Sequence, residues 1–127
     1  MHYHEDWLMR QIMAAISILM KLITGVNSEK SLADPEGFIG DTGGLYLKLK
    51  ELVSMGEIGR AEDLLFEAVA AGEESALRAA VLFYSQINAL TDQELESCNF
   101  PRSEILCGLR ELCKAYGIPQ YLFDNIQ

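Results

Sequence analysis

In the stretch "GEIGRAEDLLFEAVAAG", residues 56–72, Ile58, Ala61, Leu65 and Ala68 recur at spacings of three, four and three. That is the period of an α-helix with one apolar face. Gly56 and Gly72 bracket the run, and a glycine just past the last helical residue is a common helix terminator. Upstream, "LYLKLKELVSM", residues 45–55, places Leu45, Leu49 and Leu52 on one face and Lys48 and Glu51 opposite. A helix that ends at Gly56 and another that begins directly after it must be antiparallel neighbours. The spacing predicts a helical hairpin.

Downstream of the hairpin, "EESALRAAVLFYSQINAL", residues 73–90, reads as a central helix. Glu74, Arg78, Ser85 and Asn88 form a thin polar stripe, and apolar residues fill the rest of its circumference. Thr91 and Glu94 then have the spacing of a capping box, with Leu90 and Leu95 as its hydrophobic staple, so a short helix runs to about Asn99. Pro101 suits the first turn of a last helix, along which Ile105, Leu109, Leu112 and Tyr116 recur at spacings of four, three and four. Gly117, Ile118 and Pro119 supply the C′ glycine, its hydrophobic contact and the stop. Phe100 is expected to anchor the turn before this helix, and Arg102 to pair with Glu94 or Glu96. The tail "QYLFDNIQ", residues 120–127, is apolar enough to dock.

Upstream of the hairpin, residues 5–24 form the first helix, with Arg10, Ala14, Ser17, Lys21 and Thr24 on one stripe. Trp7, Leu8, Ile12, Met13, Ile16, Leu19, Met20 and Ile23 cover well over half the circumference, more than one packing face requires. Residues 25–44 are rich in Gly, Ser, Asp and Pro and make a long connecting loop, which Phe38 and Ile39 would pin to the body. "GDTGG", residues 40–44, lacks the lysine of a phosphate-binding loop, and Asp41 or Thr42 is the expected cap of the helix that follows. No alternating strand pattern occurs. The expectation is an all-α fold, a single domain over 1–127 holding a bundle of five or six helices built from antiparallel hairpins.

Composition narrows the function. Nineteen acidic against ten basic side chains leave a formal net charge of −9, and a polyanion would be repelled by such a surface, which excludes nucleic acid as the expected partner. Arg10 and Lys21 interrupt the apolar N-terminal run, which falls short of the roughly 20 apolar residues of a membrane span. Glu5 and Asp6 do not suit a signal peptide. Cys98, Cys107 and Cys113 form no CxxC pair, and their odd number suits a reducing compartment; the expected location is cytoplasmic.

Two resemblances add to this reading. "GEIGRAEDLLFEAV" resembles the turn and second helix of a tetratricopeptide repeat, with Gly56 at the turn and Ala61 and Ala68 at the small positions where the helices touch. Leu49 stands where the first helix of that repeat has a small residue, and no second copy follows at the roughly 34-residue period; one hairpin in a bundle is implied, not an array. "MRQI", "GEIGRAEDLLFE", "FYSQINALTDQELESCNFPRSEILCGL" and "YGI" together resemble an uncharacterised family of small all-helical bacterial proteins. That resemblance implies a compact helical fold in the cytoplasm and brings no catalytic or ligand-binding residue with it.

The side chains that bear chemistry are few. His2 and His4, with Glu5 and Asp6, are metal-type ligands at a terminus, where a structural site lacks a held geometry. Cys107 has Arg110 and Lys114 at helical spacing and is the candidate reactive thiol, whereas Cys113 shares an apolar face with Leu109, Leu112 and Tyr116. Glu57, Glu62, Asp63 and Glu67 read as the solvated outer face of the hairpin, with Glu73 and Glu74 following. No catalytic, metal or cofactor site is expected. The leading expectation is a non-enzymatic interaction or scaffold module that self-associates or binds a protein through Trp7, Ile12, Met13, Ile16 and Met20 of the first helix. The alternatives are a carboxylate- or cysteine-dependent enzyme and a small-ligand sensor, each with its site between helical hairpins.

Overall fold

The computed structural model describes residues 2–24 and 44–119, with side chains for 6–23 and 44–119. Within them the chain is all-helical: α1 His2–Thr24, α2 Leu45–Ser54, α3 Ile58–Ala70, α4 Ala76–Asn88, α5 Asp92–Ser97 and α6 Arg102–Tyr116. The connecting loop, with Phe38, Ile39, Asp41 and Thr42, and the tail from Gln120 lie outside the described residues.

The predicted inner stripe of α3 is the one observed, since Ile58, Ala61, Leu65 and Ala68 are its buried residues. Helix α3 packs on α2, whose own buried residues are Leu45, Tyr46, Leu49 and Val53. Burying each large aliphatic side chain contributes about 1.5–3 kcal/mol. Ala61 is fully buried. The α2 cap differs from expectation. Gly44 occupies that position at φ 88°, with no side-chain cap bond.

The axis of the bundle is α4, which contacts α1, α2, α3 and α6. Nine of its side chains are buried, from Ala76 to Asn88. Asn88 was expected on the polar stripe but is 3 % exposed, and its Nδ2 donates to the Met9 carbonyl at 3.2 Å. The end of α4 therefore meets the beginning of α1, while Leu77 at its start lines one groove with Leu19, Leu22 and Ile23 near the end of α1. Helices α1 and α4 run antiparallel.

Four helices close with one device. The N–H groups of Glu57, Glu73, Phe100 and Ile118 donate to the carbonyls of Leu52, Ala68, Leu95 and Cys113 at 2.9, 3.1, 3.0 and 2.8 Å. This is the six-residue closure that satisfies otherwise orphaned helix-end carbonyls. Three of the four left-handed positions are glycine, and the other is Asn99 at φ 56°. Asparagine tolerates that region because its short polar side chain can bond locally. Cys98 Sγ lies 3.8 Å from where a Cβ on Gly56 would stand, so the end of α5 packs over the α2–α3 turn.

Candidate functional site

Of the helices packed on α4, α1 and α6 show contrasting faces to solvent. On α6 the exposed residues include Ser103, Glu104, Cys107, Arg110, Glu111 and Lys114, with Lys114 and Glu111 paired at 3.4 Å. On α1 the outward half carries Asp6, Arg10, Ser17 and Lys21, but also Trp7, Met13 and Leu22 at 49, 56 and 56 % exposure. Of the five residues expected to form an interaction surface, Ile12, Ile16 and Met20 are buried against the chain's own core, and Trp7 and Met13 are exposed. Leu22, with Ala14 and Ile18 half-buried beside it, extends the apolar part of this face.

Between the helices lie two polar clusters. Arg102, at the first turn of α6, is 2 % exposed. Its Nη1 donates to the Asn88 carbonyl and to Asn88 Oδ1 at 2.6 and 3.0 Å, and its Nη2 donates to the Leu90 carbonyl and to Asp92 Oδ1 at 2.8 and 2.9 Å. A buried guanidinium is tolerable only when its donors find acceptors. The expected partners, Glu94 or Glu96, are not the ones used. Glu94 Oε1 accepts from the Thr91 N–H at 2.9 Å while Thr91 Oγ1 accepts from the Glu94 N–H at 3.1 Å. The capping box holds Glu94, and the cation turns to Asp92.

The second cluster corrects the reading of the α3 carboxylates. Glu62 does not lie on the solvated face with Asp63 and Glu67; its Oε2 accepts a 2.7 Å hydrogen bond from the buried Tyr84 hydroxyl of α4. Gly108 of α6 sits directly over this pair. A Cβ there would lie 2.6 Å from Glu62 Oε2 and closer still to Tyr84 Oη. Burial raises the Glu62 carboxyl above the usual carboxylate range, the Tyr84 bond works against that, and the charges of Glu104 and Asp63 add to the rise. Burial, the Glu62 charge and the shared hydrogen bond drive the Tyr84 phenol far up, so it stays a donor. The signal was in the sequence, since Glu62 stands at helical spacing from Ile58 and Leu65 on the edge of the buried stripe.

The remaining concave and reactive features are quickly placed. A cleft of about 1000 Å³ between α2, α3 and the start of α4 is lined by Leu45, Lys48, Leu64, Glu67, Ala68 and Arg78, among others. An apolar groove of about 350 Å³ lies where the ends of α1 and α6 meet Leu77. Cys107 is exposed, Cys98 half-buried and Cys113 buried, and burial pushes the Cys113 thiol up to about 11. Tyr116, expected on the apolar face of α6, is 38 % exposed. The side chains of His2, His4 and Glu5 lie outside the described residues. Among the described residues no three His, Cys, Asp or Glu side chains gather as metal ligands, and no helix is long and apolar enough to cross a membrane.

The model of a family of unknown function, DUF6483, matches residues 2–117. The chain belongs to that family. The DUF6483 match takes in all six helices of the described residues and ends on Gly117, the residue that closes α6. Trp7, Met13, Glu62, Tyr84, Arg102 and Gly108 all fall within it. No curated protein and no solved structure matches the chain, and the family description assigns no activity.

Proposed function

We propose that this DUF6483 member is a single-domain, non-enzymatic interaction module and that its contact surface is the outward face of α1. The observation that carries the reading is the exposure of Trp7, Met13 and Leu22 along one helix, on a chain whose other flanking helix is clothed in charge. Exposed apolar surface on a small protein is a mark of a contact site, and at helical spacing Trp7 and Leu22 border one side of the Asp6, Arg10, Ser17 and Lys21 stripe while Met13 borders the other. The expected occupant is a second copy, paired across a two-fold axis, the commonest symmetry of homo-oligomers. Centred on Ala14, an antiparallel pair of α1 helices sets Trp7 opposite Lys21 of the partner subunit, an arrangement suited to a cation–π contact. The α2–α3 hairpin then serves as a tetratricopeptide-like buttress, its helices brought close at Ala61. The unpaired cysteines support a reducing, cytoplasmic setting.

Light scattering at micromolar concentration tests this. The expected result is a mass twice the 14.2 kDa of one chain, which Met13→Glu returns to one chain with helicity unchanged. Met13 is the position to change because Ile12 and Ile16 are buried, and substitution there would confound association with folding. A strict monomer across the concentration range overturns self-association, and a dimer indifferent to Met13→Glu moves the interface elsewhere.

A further inference from the structure

Helix α6 packs on α1 and α4, and where it crosses α4 at Gly108 a charge from α3 lies beside it, with company of its own sign. Glu62 projects from α3 into the crevice where Gly108 of α6 crosses Tyr84 of α4, and α6 can lie this close only because position 108 has no Cβ. The groups acting on the carboxylate from its surroundings are the Tyr84 phenol from α4, Glu104 from α6 and Asp63 from its own helix. Both charges are negative. With the carboxylate ionised, the Tyr84 hydroxyl stabilises it, while partial burial and the two neighbouring carboxylates oppose it. With the carboxyl neutral, the repulsion from Glu104 vanishes and a desolvated charge is gone from beneath α6.

We propose that Glu62 is a proton-linked latch for α6: uptake of one proton there tightens the seating of α6 on α3 and α4. The direction follows from linkage. A carboxyl that binds its proton more readily in the folded than in the unfolded chain favours folding wherever the folded state carries the extra proton. The contribution is fully present below the ordinary glutamate range and is lost as pH rises through the higher, folded-state value. The latch therefore tightens as pH falls and relaxes as pH rises. Relaxation involves α6 in particular, because Glu104 is the repelling charge that lies across the helix–helix contact. The bond made or lost is one carboxyl O–H, with solvent as the proton source.

Hydrogen–deuterium exchange tests the latch on the full chain, with rates divided by the intrinsic rate at each pH so that they report local opening. Between about pH 7.5 and about pH 5, protection of the α6 amides is expected to rise severalfold. In Glu62→Gln, which keeps a hydrogen-bond acceptor for Tyr84 and carries no charge, protection at the higher pH is expected to match that of the unmodified chain at the lower. An α6 protection that does not respond to pH, or that responds equally in Glu62→Gln, overturns the proposal. Tyr84→Phe gives an independent reading. It removes a donor that favours the ionised carboxylate, so the midpoint of the rise should move to higher pH, and an unmoved midpoint counts against the latch.

Discussion

At its first turn α6 is held by a buried cation, and about two turns further on it rests on a partly buried anion. Among the described residues Arg102 donates to acceptors on Asn88 and Leu90 and to the carboxylate of Asp92. Glu62 has the Tyr84 hydroxyl as donor and two carboxylates acting against it. The same helix is thus pinned at one point by a charge whose solvation the protein has replaced and at another by a charge whose solvation it has replaced only in part. The difference lies in the backbone. Arg102 reaches the carbonyls left over where α4 runs out, a concentration of partial negative charge, whereas Glu62 meets the middle of two helices, whose backbone groups are already paired.

The sharpest way to break the contrast is Arg102→Met. It leaves the Asn88 and Leu90 acceptors buried without their donor, and removing one side of such a network is expected to cost about 3–5 kcal/mol in denaturant unfolding. Asp92 is itself 45 % exposed, so Asp92→Asn should cost far less. Equal costs would mean the ion pair, not the carbonyl contacts, pins the helix. Gly108→Ala attacks the other point. Its Cβ collides with Tyr84 Oη, and the expected loss is about 2 kcal/mol from overpacking, even though alanine is favoured over glycine in a helix by roughly 1 kcal/mol. Unchanged or raised stability would show that α6 does not rest on the pair. The smallest effect belongs to Thr91→Ala, about 1 kcal/mol for a lost N-cap. Because Leu90 and Asp92 flank Thr91, the double variant with Arg102→Met should cost less than the two single losses added. Strict additivity in calorimetry would separate the cap from the cation.

Periodicity and capping residues carried most of the fold. The stripe of α3, the Thr91–Glu94 box and the closure at Gly117 are all local patterns, each contained in a dozen residues or fewer, and the structure reproduces them. The polar clusters were less legible because each depends on a choice among chemically equal candidates. Arg102 had three acidic residues in reach along the chain, and the box removed Glu94 from the competition. Glu62 was one carboxylate in an acidic helix, and its partner Tyr84 comes 22 positions later. On α1 the apolar circumference was evident, but nothing in the composition marked which part would stay open. Trp7 and Met13 remained outside, while Ile12, Ile16 and Met20 went in.

The Asn88–Met9 bond spans 79 positions, and among the described residues the helices that α1 packs on, α4 and α6, lie far along the chain from it. The contacts of α2 with α3, and of α3 with α4, link successive helices and close small loops, which favours their early formation. During synthesis the order of appearance runs the other way. Helix α1 leaves the ribosome before α4 and α6, and at about 5–20 residues per second it waits for seconds with Ile12, Leu19 and Met20 uncovered. The nascent chain is therefore most exposed to aggregation, and most in need of a chaperone's cover, in the interval before Asn88 emerges to receive it.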